Sequence, residues 1–483
     1  MPNSLVLITV DCLRADHVGF LGYQRPTTPF LDTLSSESFA FSNAIVGGAP
    51  TYYSFPAILA SRSPLAFGRD LIGLAPGELN LASVLRQQGY ATAAFLAANP
   101  YLSSRFGYDQ GFGRFEDFLE PSPDLDESAG AEPSRLNQRL SQACSKFGIT
   151  RRLYEELYFQ YCQRVATPAP KSLSDLRRFP TADVLVDQAL AWLSSLGDQP
   201  FFLWLHLMDP HSPYYPNEQG LALMGDRATP SHARYLNSCW TRESIGERRL
   251  RSYRDEIIRL YDAGIRWADA QIERLVGALR KSERWDDCTL AVTADHGEEF
   301  LDHGGRHHAP SVREELIRVP LLLRVPGVRH GQTISAPFSH LHLAPTLLES
   351  LGLPIPADFQ GGSYWPYLTS GQEWDDAAIV ECISGCTNPF HVENRGGHRL
   401  LAVREERYKL AYDFSLPHEE LFDLEVDPTE SNPLPLEAEQ EARKRLLARA
   451  HRHMLESHQL RYSRARVAAS VRETRLELAH PAQ

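Results

Sequence analysis

The chain has 483 residues, 43% apolar and 23% charged, enough for a large core and two units, and its net charge of -12 argues against a broad nucleic-acid surface. Its seven cysteines are scattered with no dense spacing, which fits a reducing compartment rather than a disulfide scaffold. No stretch reaches the roughly 18 apolar residues of a membrane span, and Met1-Pro2-Asn3-Ser4 lacks a basic n-region, so no membrane span and a cytoplasmic location are expected.

In chain order, the first strand is expected over 5–10, an apolar run ending at Asp11. A helix over 29–37 follows, then a helix over 79–88 closed by Gly89 and a strand over 91–96. Residues 120–178 are rich in Pro, Ser, Asp and Arg and read as an insertion, with short helices around 155–162, that forms a lid or an oligomer contact. Helix 182–196, strand 201–207, helix 253–279, strand 289–293 and strand 319–325 complete the first unit. Ile257, Ile258, Tyr261, Ile265, Ala268, Ile272 and Leu275 recur at helical spacing and read as core. Strands apolar on both faces and separated by helices indicate a buried, mostly parallel sheet. After about residue 375 shorter strands, over 377–381, 399–404, 408–412 and 420–424, suggest a small antiparallel unit. The expected division is a catalytic α/β unit over 1–375, a small α+β unit over 376–435 and a charged helical tail over 436–483, with Leu446, Leu447, Ala450 and Met454 on one side. That tail is suited to pack on the body or on another subunit.

Two of these strands end in carboxylates. Leu5 to Val10 runs into Asp11, and Leu290 to Ala294 runs into Asp295-His296-Gly297. In an open α/β sheet the carboxyl ends of strands line the ligand crevice, so the three side chains can meet at one metal ion, with oxygen from each Asp and nitrogen from His296. Two unrelated loop carboxylates are the plainer reading. Between them, Gly47-Gly48-Ala49-Pro50-Thr51-Tyr52-Tyr53-Ser54 forms a tight loop before a helix. Thr51 or Ser54 there is either a helix cap or a metal-activated nucleophile. Met208-Asp209-Pro210-His211-Ser212-Pro213 holds His211 stiffly just past a strand, where an imidazole can bind an anion or protonate a leaving oxygen. Gly304-Gly305-Arg306-His307-His308 adds a guanidinium and two imidazoles, and spacing does not say which of His307 and His308 faces the site. Asp209, His211, His307, His308, His340 and His342 are spare ligands for a second ion.

Thr9-Val10-Asp11-Cys12-Leu13-Arg14-Ala15-Asp16-His17, Arg25-Pro26-Thr27-Thr28-Pro29, Asp209-Pro210-His211-Ser212-Pro213-Tyr214, Asp295-His296-Gly297-Glu298-Glu299, Arg318-Val319-Pro320, Ala344-Pro345-Thr346-Leu347-Leu348 and Glu420-Leu421-Phe422-Asp423-Leu424 together resemble the sulfatase family of the alkaline phosphatase superfamily. The resemblance spans nearly residues 3 to 432. It implies an alkaline-phosphatase-like, doubly wound α/β domain with a smaller C-terminal antiparallel sheet. It also implies one divalent cation, a covalent intermediate and hydrolysis of a small anionic ester. By motif, Asp11, Thr51, Asp295 and His296 would hold the metal, and Thr51 would be the nucleophile. His211 with His307 or His308 would serve catalysis, and Arg14, Asn99 and Arg306 would bind substrate. Cys12 and His296 stand where many family members have Asp and Asn, which resembles the phosphonate monoester hydrolase and phosphodiesterase branch and favours Mn²⁺ or Zn²⁺ over Ca²⁺ or Mg²⁺. The family's formylglycine motif is Cys or Ser followed by x-Pro-x-Arg. Tyr52-Tyr53-Ser54-Phe55 lacks both the proline and the arginine, so no formylglycine is expected. The expected function is a metal-dependent phosphodiesterase or phosphoesterase. The alternatives are a sulfatase working without formylglycine, a phosphotransferase, and a family member that binds its anion without turnover.

Overall fold

The computed structural model describes residues 3–119, 170–328, 330–374, 377–416 and 418–457. Most of the expected insertion, with the helices around 155–162, and the tail beyond 457 lie outside the described residues.

The first strand, β1 (Ser4–Val10), is buried on both faces: Leu5, Val6, Leu7 and Ile8 are fully inaccessible. Such a strand needs a partner on either side, and it lies at the middle of a nine-stranded sheet. The other members are β2 (Phe39–Ile45), β3 (Ala91–Leu96), β4 (Arg114–Glu116), β5 (Phe201–Leu207) and β6 (Cys288–Ala294). A short ribbon of β7 (Glu299–Phe300) and β8 (Arg306–His307) intervenes before β9 (Arg318–Arg324), β10 (Gln332–Ile334) and β11 (Phe338–Ser339) complete the sheet. The order is β10-β2-β9-β6-β1-β5-β3-β4, with β11 beside β2. β1 pairs in parallel with β5 and with β6, and Val10 lies level with both Leu207 and Ala294. The residues that follow, Asp11, Met208 and Asp295, therefore emerge together at one edge.

The mostly parallel sheet is as expected, with one internal exception. β9 runs antiparallel to both β2 and β6. It carries Pro320, which has no N–H for the ladder. Opposite it the register of β2 shifts between Phe41 and Ala44, so Ser42 and Asn43 bulge out. That bulge breaks the apolar run and hides β2 from a reading by hydrophobic pattern. The long helix begins earlier than its apolar periodicity, at Glu247, and runs to Lys281. Its first turns are charged but rich in good helix formers.

The C-terminal strands are β12 (Ala378–Ile383), β13 (Arg399–Arg404), β14 (Tyr408–Asp413) and β15 (Glu420–Asp423). They form an antiparallel sheet in chain order. Residues 440–457 are helical and lay Leu446 against Leu401, Val403, Leu410 and Leu421 of that sheet, with Leu447, Ala450 and Met454 alongside. Among the described residues no helix is long and apolar enough to cross a membrane.

Candidate metal centre and active-site cleft

Asp11 and Asp295 are fully buried at the ends of β1 and β6, and each leaves one oxygen unused. Asp11 Oδ2 accepts from Asn99 Nδ2 at 2.9 Å and from His206 Nε2 at 3.2 Å, while its Oδ1 has no partner. Asp295 Oδ1 accepts the backbone N–H groups of Cys12 at 3.2 Å and His296 at 3.0 Å, while its Oδ2 has none. Buried carboxylate oxygens are costly to leave unpaired. His296 completes the set. Its Nδ1–H donates to the Gly297 carbonyl at 2.7 Å, which leaves the Nε2 lone pair 3.5 Å from Asp11 Oδ1 and 3.7 Å from Asp295 Oδ2. A backbone partner on the far nitrogen fixes the tautomer a metal ligand needs. Gly297 is glycine because a Cβ there would come within 1.9 Å of the Glu315 carbonyl oxygen. The ligand atoms of Asp11, Asp295 and His296 all lie within 4.8 Å of one another. Two orphaned anionic oxygens facing an imidazole lone pair fit a divalent cation.

Thr51 is the first residue of the helix Thr51–Ala60, behind Pro50, and its Oγ1 lies 3.2 Å from His296 Nε2. It is thus inside the helix rather than a cap. Ser54 sits one turn further in, fully buried with no hydrogen-bond partner, and does not line the cleft. The cleft above Thr51 measures about 660 Å³. His211, Arg306, His307 and His308 line it together with Tyr52, Tyr101 and Asn99.

His308 is the histidine beside the metal ligands. Its ring centroid is 4.7 Å from that of His296 and 4.8 Å from that of His211. Its Nδ1–H donates to Glu298 Oε1 at 3.1 Å. Burial works against its charge, but Glu298, Asp11 and Asp295 outweigh it and raise the pKa to about 9. Glu298 is held at about 2: burial opposes its ionisation, and His308, His307 and His211 overcome it. His307 turns away onto Tyr214, ring centroids 6.3 Å apart and 17° from parallel, and burial lowers it to about 4. Burial also lowers His211, against the pull of Asp11, and its Nδ1 is committed to the Ser212 carbonyl. Asp11 itself lies well below the usual carboxylate range. Burial would raise it, but His211, the His206 hydrogen bond and His296 reverse the sign.

The other expected site residues divide. Arg306 lines the cleft, with Nη1 on the Trp240 and Arg242 carbonyls. Asn99 is in the cleft, but its amide holds Asp11 and its carbonyl accepts from Tyr101 N–H, so its polar atoms face the protein. Arg14 does not line the cleft. Its guanidinium is taken by Asp16, Asp302 and the Glu298 carbonyl. Three of the spare metal ligands, Asp209, His340 and His342, do not line the cleft. Asp209 accepts the Ala182 N–H at the start of the helix Ala182–Ser195, His340 meets Thr293, and His342 meets the Gly362 carbonyl. Two residues that matter were not singled out from the sequence. His206 is hidden inside the apolar run of β5, and Glu298 sits in a quoted motif without a role of its own. A polar residue in an otherwise apolar central strand was the available signal for His206.

The sulfatase family profile matches residues 3–353, and the profile of the N-sulphoglucosamine sulphohydrolase C-terminal region matches 306–459. The chain is 24% identical over 480 residues to the multifunctional alkaline phosphatase superfamily protein PehA of Trinickia caryophylli, covering 89% of this chain and 91% of that one. Its fold is similar to the phosphonate monoester hydrolase of Agrobacterium radiobacter, with TM-score 0.65, 21% identity and 95% and 96% of the two chains covered. It is also similar to a protein solved in complex with its substrate D-glucosamine-2-N,6-O-disulfate, with TM-score 0.70, 17% identity and 95% and 99% covered. The strand-end carboxylates, the histidine beside them and the two-sheet architecture thus belong to an ester hydrolase, and the chain is a member of the sulfatase family of the alkaline phosphatase superfamily.

Proposed function

We propose that this chain hydrolyses phosphate esters, diesters before monoesters, with Thr51 as the nucleophile. The observation that carries this reading is the Thr51 hydroxyl, 3.2 Å from His296 Nε2 and beside the orphaned oxygens of Asp11 and Asp295. A threonine is not a formylglycine precursor, and a bare hydroxyl needs activation to attack. One divalent cation, Mn²⁺ or Zn²⁺ by the mixed oxygen and nitrogen donors, would be held by Asp11, Thr51, Asp295 and His296 and would supply positive charge to the hydroxyl and the phosphoryl oxygens.

The chain's own residues account for the rest. The His308 cation holds a non-bridging oxygen, and Arg306 lines the same cleft. Thr51 Oγ bonds to phosphorus as the bond to the leaving alcohol breaks. The Thr51 proton leaves to solvent, and His211 Nε2, the ring nitrogen not committed to Ser212, passes a solvent-derived proton to the departing oxygen on the opposite face of phosphorus. Water then attacks the phosphothreonine, the Thr51 Oγ–P bond breaks, and the hydroxyl is restored.

The test is a panel of aryl phosphodiester, phosphomonoester, phosphonate and sulfate ester substrates with Mn²⁺ or Zn²⁺ supplied. Diester turnover should lead, and a phosphorylated peptide containing Thr51 should be trapped on acid quench. Sulfate turnover well above phosphate turnover would reverse the order and leave a sulfatase without formylglycine. Cys12, Cys288, Cys382 and Cys386 are buried free thiols, which supports a cytoplasmic location. Thiol titration of the unfolded, unreduced protein should find every cysteine free, and a disulfide would count against that compartment.

A further inference from the structure

Glu381 lies on β12, outside the cleft, and is fully buried. Its N–H donates to the Gly47 carbonyl at 3.0 Å. Its own carbonyl oxygen approaches Gly48 so closely that a Cβ there would come within 2.4 Å. Its Oε1 accepts the Leu65 N–H at 2.8 Å. Gly47 and Gly48 lead into the helix Thr51–Ala60, and Leu65 follows it. One residue of the small sheet therefore holds both flanks of the helix that begins with Thr51. Just beyond the same strand, the Cys386 carbonyl accepts from the Tyr52 hydroxyl. The remaining oxygen of Glu381, Oε2, is held by Arg399 of β13 and by His453 Nε2 at 3.1 Å. His453 is buried on the helix over 440–457. Removing one partner of such a buried charge leaves the other groups uncompensated.

We propose that the helix over 440–457 positions the nucleophile: His453 fixes the Glu381 carboxylate, and Glu381 fixes the segments on either side of the helix bearing Thr51. The proposal rests on the reading of Thr51 as nucleophile. His453 does not line the cleft, so it acts through Glu381 and is a positioning residue. Small displacements suffice for a large effect, because a misplacement of about 1 Å can cost about 10²-fold in rate.

The experiment compares full-length His453→Ala, His453→Gln and Thr51→Ala with the parent. His453→Ala should lose about tenfold or more in kcat, with KM for an aryl phosphodiester and bound metal unchanged. Amide hydrogen exchange should quicken over residues 47–65 while β1 and β6 stay protected. His453→Gln, whose side-chain amide can still donate to Glu381, should recover most of the kcat. A lowered Tm with full kcat would assign His453 a merely structural role and overturn the proposal. Should His453→Ala not accumulate as folded protein, Arg399→Lys, which keeps the charge but shifts the donor, gives the same readouts. If Thr51→Ala keeps turnover, the nucleophile reading fails. If Thr51→Ala is inactive while His453→Ala is fully active, only the positioning proposal fails.

Discussion

Two buried clusters near the end of β1 are each built on aspartate with a histidine beside it. In one, Asp262 takes His17 Nδ1 at 2.8 Å on Oδ1, and the Tyr23 hydroxyl at 2.8 Å and Arg25 on Oδ2. In the other, Asp11 and Asp295 each fill one oxygen and leave the second bare. All three aspartates are almost wholly inaccessible. Burial and charge therefore do not separate these two clusters; the unfilled carboxylate oxygens do. The finished cluster locks the segment after β1 onto the long helix. The unfinished one has donor atoms to spare for an ion.

The contrast is broken most sharply at the nucleophile. Thr51→Ala should abolish turnover, on the order of 10⁴-fold or more in kcat, while thermal melting and metal content stay near the parent's. Ordinary activity in that variant would move the chemistry elsewhere. Next, Asp295→Asn and Asp262→Asn should fail in opposite ways. The first should lose its metal on elemental analysis, where the parent carries one equivalent, and keep most of its Tm. The second should lose about 3 kcal/mol of stability by denaturant unfolding and keep the kcat of its folded fraction. Two tightly held equivalents in the parent would refute the single-metal centre.

The pH dependence of the metal-free protein sharpens the same contrast. His308 is raised in the folded state from 6.5 to about 9, so its stabilising contribution is complete below about pH 6.5 and fades as pH climbs through about 9. Unfolding free energy should fall by up to about 3 kcal/mol across that window, and His308→Gln should flatten the slope. The smallest effect belongs to Ser54→Ala. Its hydroxyl is buried without a partner, so its removal should change stability by less than about 1 kcal/mol and spare activity. Loss of activity there, with Thr51→Ala active, would shift the nucleophile by one helical turn.

Where the sequence could be read, hydrophobic pattern met chemistry directly. The runs ending at Asp11 and Asp295 are apolar on both faces, so they announced central strands and placed their carboxylates at one edge. The hidden parts have physical reasons. β2 is interrupted by Ser42 and Asn43 because its neighbour puts Pro320 opposite them. His206 is one imidazole among aromatic and aliphatic neighbours in β5, and only the fold brings it to Asp11. Asn99 and Arg14 were expected at the substrate from motif position, yet a motif does not say which way an amide or guanidinium points. Asn99 turns to Asp11 and Arg14 to two aspartates. The choice between His307 and His308 likewise depends on the β7–β8 ribbon, which pairs Glu299 with His307 and leaves the next residue, His308, beside His296.

The central place of β1 also sets a timetable for synthesis. Its neighbours are β5 and β6, which leave the ribosome long after it. The first strand therefore waits as an unpaired apolar ribbon while most of the catalytic sheet is still being made, a segment prone to sticking and suited to shelter by a chaperone. The ion-binding donors wait as well. Asp11 alone is a weak ligand, and His296 arrives only with the end of β6. A chain that ends before His296 therefore lacks the full donor set, and the candidate metal centre cannot be assembled until β6 has been made.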